Sequence, residues 1–180
     1  MKEDLGFWDN RKTGACVFNR KFSDILENLE IDLSKIDQYR LPLKYARYYK
    51  QIIREPSQEA YTYKLWKNRY ATFWDDDVML NEWSNNRMYF DSSDSLKDNM
   101  GTAIWFAVEL ARHLESIPMD LVVILSYHDI YDKHSEPFLD CEDIVNVTFC
   151  RAPGPEDILN SVCDCIMVIK SGASNFYRLG

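Results

Sequence analysis

The second half of the chain alternates short apolar runs with longer helical patterns. The runs at 120–126 and 165–169 are unbroken, which is typical of strands covered on both faces. The predicted strands are Met88–Phe90, Asp120–Ser126, Ile144–Cys150, Cys165–Ile169 and an edge strand Asn175–Arg178, and the predicted helices are Leu96–Ser116 and Pro155–Cys163. Strands that alternate with helices predict an α/β fold with a mainly parallel sheet and helices on both faces.

The first 85 residues have mostly helical patterns. A short β-prone run, Gly14–Phe18, comes first, and Ser23 and Pro42 are suited to the starts of helices. The predicted helices are Asp24–Glu30, Leu43–Arg54, Gln58–Phe73 and Asp75–Trp83. We therefore expect a helical N-terminal region, 1–85, packed on an α/β core, 86–180, in one compact domain.

Composition narrows the class of protein. Of 180 residues, 46% are hydrophobic, which is typical of a packed globule. No apolar run approaches the roughly 20 residues that span a bilayer, and the N-terminus does not have a signal-peptide pattern. The cysteines are odd in number: Cys16, Cys141, Cys150, Cys163 and Cys165. We expect no membrane association and a reducing, cytoplasmic location.

The net charge of -8 is unevenly distributed. Residues 1–74 carry 14 basic and 10 acidic side chains, whereas residues 75–180 carry 7 and 19. An acidic second half repels nucleic acid and favours cations or basic protein surfaces. The basic, aromatic stretch 43–73 has the composition of a nucleic-acid surface, but we favour docking within the chain or on a protein partner, because the whole chain is electronegative.

A polar loop, Asp91-Ser-Ser-Asp-Ser95, follows the first predicted strand of the core. Asp91, Ser93 and Ser95 provide one carboxylate and two hydroxyls, which are the hard oxygen ligands that Mg²⁺ prefers. The simpler interpretation is that the serines cap the helix that begins at Leu96.

In this loop the chain resembles the von Willebrand factor A domain, whose metal-dependent adhesion site begins with Asp-x-Ser-x-Ser at the end of its first strand. The resemblance covers about residues 86–175. It implies a Rossmann-like parallel sheet and a Mg²⁺ or Mn²⁺ ion held by Asp91, Ser93 and Ser95. It also implies a protein partner that approaches this ion.

The family's second and third metal-binding loops correspond to the segments around Gly154 and Gly172. Together with the first loop, they give the predicted partner-binding residues Asp94, Glu156, Asp157 and Ser171. Departures from the family pattern fall at the same places. Asp94 replaces a glycine, Pro155 or Glu156 replaces a threonine, and Ser171 replaces an aspartate. The resemblance is therefore to a degenerate relative.

The leading hypothesis is a non-enzymatic protein-interaction module. Gly-x-Ser-x-Gly, Walker and Gly-x-Gly-x-x-Gly motifs do not occur in the chain. A second hypothesis is a small α/β enzyme or nucleotide-binding protein that uses strand-end loops at Asp91, His128 and Asp157. A third is an acidic inhibitor or immunity-type protein that covers a basic site on its target.

Overall fold

The computed structural model describes residues 15–40, 52–56, 61–64, 78–91, 93, 95–128, 144–152, 165–170 and 175–176. The strands are β1 (Ala15–Phe18), β2 (Ile53–Pro56), β3 (Tyr61–Lys64), β4 (Met88–Phe90), β5 (Leu121–His128), β6 (Ile144–Arg151), β7 (Cys165–Lys170) and β8 (Asn175–Phe176). The helices are α1 (Arg20–Asn28), α2 (Val78–Asn85) and α3 (Leu96–Leu114), with a 3₁₀ helix at Leu33–Gln38.

Six strands form one sheet in the order β4–β6–β5–β7–β1–β8. All neighbours pair antiparallel except β1 and β8. β5 lies at the centre, where Tyr127 pairs with Val145 on one side and with Cys165 on the other. The prediction of a mainly parallel, von Willebrand factor A or Rossmann-like sheet is therefore wrong.

The prediction was wrong because the apolar runs indicate burial and do not indicate strand direction. β5 and β7 are buried at nearly every position because helices and chain cover both faces of the sheet. An unbroken apolar run follows from burial on both faces and is common in parallel sheets, but it does not fix strand direction. The strand predictions at 88–90, 120–126, 144–150 and 165–169 are confirmed, with shifts of at most two residues at their ends.

The two faces of the sheet have different partners. On the first face, α1 and α3 pack on β5, β6 and β7 and enclose the larger core, whose fully buried side chains include Phe22, Phe106, Phe149 and Met167. On the second face, Trp83 of α2 packs against the smaller cluster Val122, Ile124, Cys150, Ile166 and Val168. α2 also contacts β3, and so joins the β2–β3 hairpin to the sheet.

Helix α3 provides most of the first face. Ser95 caps its N-terminus, and its buried side runs from Met100 to Leu114. At Gly101 the ring of Tyr39 lies so close that an added Cβ would come within 2.3 Å of it, so the glycine allows the segment after the 3₁₀ helix to pack on the helix backbone. None of the helices among the described residues is long and apolar enough to cross a membrane.

The N-terminal region departs from its predicted helices. Where the structure describes residues of the predicted helices 43–54 and 58–73, they form the antiparallel hairpin β2–β3. Tyr61-Thr-Tyr is rich in residues that favour strands, and Tyr63 is buried. The first helix is confirmed, but it begins at Arg20 with Asn19 as its cap, and Ser23 lies inside it.

Candidate functional site

The loop after β4 is organised as a helix cap. The Ser95 hydroxyl accepts a hydrogen bond from the N–H of Asp98 at 3.3 Å, and the Ser93 hydroxyl accepts one from the N–H of Ser95 at 3.1 Å. The amide of Asn99 binds the backbone of Ser93 twice, at 2.7 and 3.0 Å. These contacts satisfy backbone groups that the first turn of a helix leaves free.

The same hydrogen bonds determine which oxygen atoms of the loop are available to a metal ion. Both hydroxyl oxygens already accept a backbone N–H, and Asp91 is exposed. A Mg²⁺ ion takes about six oxygen ligands in octahedral geometry, and the described residues contain no cluster of three acidic, histidine or cysteine side chains placed to hold a metal. The observed donor set fits a cap better than an ion. Binding of Mg²⁺ or Mn²⁺ by Asp91, Ser93 and Ser95 stays a prediction from sequence.

Replacement of Ser95 separates these interpretations. We expect Ser95→Ala to lower the free energy of unfolding by about 1 kcal/mol, because the N–H of Asp98 loses its acceptor. As a control, Ser116→Ala at the other end of α3 removes an exposed hydroxyl and should change stability by less than about 0.5 kcal/mol. Urea denaturation should give the same loss in Mg²⁺ and in a chelator. A loss seen only in Mg²⁺ would contradict the cap.

The strands that precede the three loops of the resemblance finish at opposite ends of the sheet. Asp91 follows Phe90, which pairs with Val145 at the upper end, the end where β5 finishes. β6 and β7 finish at the lower end, where Lys170 pairs with Val122. On β5 the partners of Val145 and Lys170 are Tyr127 and Val122, and the chain rises about 17 Å between them. A parallel sheet would bring the three strand ends to one edge, whereas antiparallel neighbours finish at opposite ends.

The other residues predicted for these loops lie outside the described residues. They are Asp94, Glu156, Asp157 and Ser171. His128 ends β5 at the upper end, and the segment after it is also outside the described residues.

A buried carboxylate on α2 ties together three segments that are distant in sequence. Glu82 Oε1 accepts hydrogen bonds from the N–H of Tyr63 at 3.1 Å and from Nε of Arg151 at 3.2 Å. Its Oε2 accepts the backbone N–H of Arg151 at 2.9 Å. The Glu82 side chain is 0% exposed, and that of Arg151 is 26% exposed. One carboxylate therefore joins α2 to β3 and to the end of β6.

Two competing influences set the pKa of Glu82. Burial raises it above the ordinary value, and the N–H of Tyr63 and the cation of Arg151 oppose that rise. The net direction is upward. Burying an ion pair costs desolvation energy, and removing one of its partners costs more because the other charge is left buried without a counterion. Movement of α2 would separate Glu82 from Arg151, so this contact holds α2 in one position.

Two more polar contacts fix the same helix. The Asn86 amide donates to the carbonyl oxygens of Tyr63 at 2.8 Å and Phe149 at 3.0 Å, and Asn86 is fully buried. The Thr148 hydroxyl donates to the carbonyl of Trp83 at 2.6 Å. Together with Glu82, these bonds hold α2 and the residues after it in a fixed register on β6.

A surface of four residues lies directly on this support, and we call it the Arg87 face: Trp83, Arg87, Tyr89 and Asp91. The Arg87 guanidinium carbon lies 3.6 Å from the centre of the Trp83 ring, a stacked cation–π contact. Met88 and Phe90 are buried in the larger core, so the alternation of β4 places Arg87 and Tyr89 on the second face of the sheet. By the same alternation we assign Asp91, the exposed residue directly after β4, to this face.

The Arg87 face contains groups without partners in the described part of the chain. There, Arg87 has no ion pair and no hydrogen bond, and its Nε is buried without an acceptor. Tyr89 is 51% exposed, the one large hydrophobic side chain found exposed among the described residues. Among the described strands β4 also lies at the edge of the sheet, with β6 as its neighbour on one side. An unpaired arginine, a tryptophan and an exposed tyrosine are the residue types enriched at interfaces between proteins.

The described cysteines have a different character. Cys16, Cys150 and Cys165 are buried thiols in strands of the sheet. Burial raises the pKa of the Cys16 thiol to about 12, which keeps it protonated at physiological pH. These three side chains pack in the core as small hydrophobic residues.

The acidic excess of the second half lies mainly outside the described residues. In 75–180 the described residues contain six acidic and five basic side chains, out of totals of 19 and 7.

The Arg87 face and the Glu82 contact were not predicted from the sequence. Glu82 lies in a helical pattern, where a carboxylate normally faces water, and its partner Arg151 lies 69 residues away.

No protein-family model, curated protein or solved structure matches this chain.

Proposed function

We propose that this protein is a protein-interaction module that binds its partner through the Arg87 face at the open side of β4. The observation that carries the proposal is the guanidinium of Arg87, which stacks on Trp83 beside the exposed ring of Tyr89 and whose buried Nε has no acceptor among the described residues. Half-buried cations normally have an anionic partner, and hot-spot residues at interfaces are most often Trp, Tyr and Arg.

Rigid support under the face favours this function. Glu82, Asn86 and Thr148 hold the backbone on both sides of Trp83. A surface whose side chains are already fixed loses less conformational entropy when a partner binds. We place the protein in a reducing compartment inside the cell, because its described cysteines are thiols buried in the core.

An affinity capture experiment tests the proposal. The wild-type protein, Arg87→Ala, Tyr89→Ala and the control Arg112→Ala are immobilised separately and exposed to an extract of the source cells. Arg112 is an exposed arginine on α3, paired with Glu109 on the first face of the sheet. The melting temperature of each variant is measured first, so that loss of binding is not confused with loss of folding.

We expect the wild type and Arg112→Ala to retain the same proteins, and Arg87→Ala and Tyr89→Ala to lose at least one of them. Truncation of a central arginine or tyrosine typically costs about 2 kcal/mol or more of binding free energy, which is about thirtyfold in affinity. Identical retention by all four proteins would overturn the proposal.

A further inference from the structure

The order of charges along β4 indicates which partner fits the Arg87 face. We propose that it is a second copy of the same chain, paired antiparallel along β4 about a twofold axis at Tyr89. This inference rests on the proposed function, because it uses the same surface.

The charges along β4 are self-complementary. Arg87 and Asp91 directly flank β4, and the alternation of the strand, continued by one residue at each end, gives them the same face as Tyr89. A cation and an anion then lie at equal spacing on either side of the ring. When two such strands pair antiparallel with Tyr89 opposite Tyr89, each Arg87 lies opposite an Asp91 of the other copy. Residues directly opposite in an antiparallel pair have their Cβ atoms about 4.5–5.5 Å apart, within reach of an ion pair.

Other registers do not give this match. A shift by one residue places Tyr89 opposite Met88 or Phe90, whose side chains lie on the other face of the sheet. A shift by two residues places Tyr89 opposite Arg87 or opposite Asp91 and leaves the remaining charge without a counterpart. Only the register centred on Tyr89 pairs both charges with opposite charges. It also places Met88 opposite Phe90 on the first face, where both side chains belong to the core. An interface in which the same patch meets itself is the form that closed twofold dimers take.

The state of both charges in the single chain agrees with this pairing. Neither Arg87 nor Asp91 forms an ion pair within the described residues. They are four residues apart, about 13 Å along an extended strand, which is too far for them to pair with each other in one copy. β4 has three residues, and a short strand contact is small by the standard of stable interfaces. We therefore expect a dimer that dissociates on dilution and weakens as salt is added, because salt screens partly exposed charges.

Charge exchange tests the pairing. Sedimentation velocity over a series of protein concentrations compares the wild type with Arg87→Asp, with Asp91→Arg and with the variant that carries both changes. Each single change puts like charges opposite each other twice in the dimer, and should raise the dissociation constant about tenfold or more. The double variant restores opposite charges and should recover a dissociation constant within about threefold of the wild type.

Two controls keep the result clear. Asp91 is exposed, so Asp91→Arg tests the charge without disturbing the stacking of Arg87 on Trp83. Arg112→Asp changes the net charge by the same amount as Arg87→Asp on another surface, and should leave the dissociation constant unchanged.

A wild type that stays monomeric at every concentration would overturn the dimer, as would a dimer that no change at Arg87 or Asp91 affects. If the wild type is monomeric while capture of another protein still depends on Arg87 and Tyr89, the dimer inference fails and the proposed function stands. If capture is also independent of these residues, both fail.

Discussion

Replacing Glu82 with alanine is expected to lower the free energy of unfolding by about 3–5 kcal/mol, the usual cost of removing one partner from a buried ion pair. The change leaves the N–H groups of Tyr63 and Arg151 and the Arg151 side chain without their acceptor. Because three segments meet at this carboxylate, we also expect the hairpin and α2 to loosen from the sheet. Urea denaturation followed by fluorescence and circular dichroism measures the loss.

Two companion variants define the cause. Glu115→Ala removes an exposed carboxylate just after α3 and should change stability by less than about 0.5 kcal/mol. Glu82→Gln keeps one acceptor oxygen but places an amide N–H toward the donors of Arg151, so it should lose less than alanine. A loss at Glu82→Ala no larger than that at Glu115→Ala would contradict the role given to this contact.

The Glu82→Gln variant also isolates a pH dependence. Because burial raises the pKa of Glu82 above its ordinary value of 4.5, the folded protein binds this proton more tightly than the unfolded chain does. The stabilisation that comes from this proton is therefore fully present below pH 4.5 and is lost as the pH rises through the raised pKa. We expect the stability of the wild type relative to Glu82→Gln to fall above pH 4.5. Parallel pH profiles would argue against the raised pKa.

The second large effect is expected at Phe106 of α3. Its ring is fully buried, and its centre lies 5.5 Å from that of Phe90, so it joins the helix to β4 on the first face. Phe106→Ala should cost about 3–5 kcal/mol, because the change removes apolar contacts and leaves a cavity.

Tyr89→Ala is the matched aromatic control for this variant. Its ring is 51% exposed on the same strand as Phe90, and its truncation should change the free energy of unfolding by about 0.5 kcal/mol or less. Equal losses at Phe106 and Tyr89 would show that the first face is not the core. A small loss at Tyr89 also agrees with a residue exposed for binding.

The sequence was informative about burial and much less so about pairing. The apolar runs at 120–126 and 165–169 predicted buried strands, and the helix at 96–116 was placed within two residues of its observed end. Strand direction depends on which segments meet, and no local period encodes that. Tyr61-Thr-Tyr-Lys illustrates the limit, because a short aromatic stretch fits one turn of helix and a strand equally well until its neighbour Ile53–Pro56 pairs with it.

The candidate site was harder to predict for a related reason. The Asp91 loop was predicted to bind a metal because its residue types match a known ligand pattern, whereas in the structure Ser93 and Ser95 form hydrogen bonds at the N-terminus of α3. The Arg87 face depends on the packing of Trp83 beneath Arg87 and on the position of β4 at the edge of the sheet. Both are properties of the folded chain, and a single arginine before a three-residue strand gave no signal of them.

The most direct measurement of the central claim, that the open side of β4 is the contact surface, is amide hydrogen exchange at residues 86–91 as the protein concentration is raised. We expect exchange in this segment to slow as the concentration rises, while exchange at the exposed end of α3 around Glu115 stays unchanged. The claim would be contradicted if exchange at 86–91 is the same at all concentrations and also stays the same when a captured partner is added.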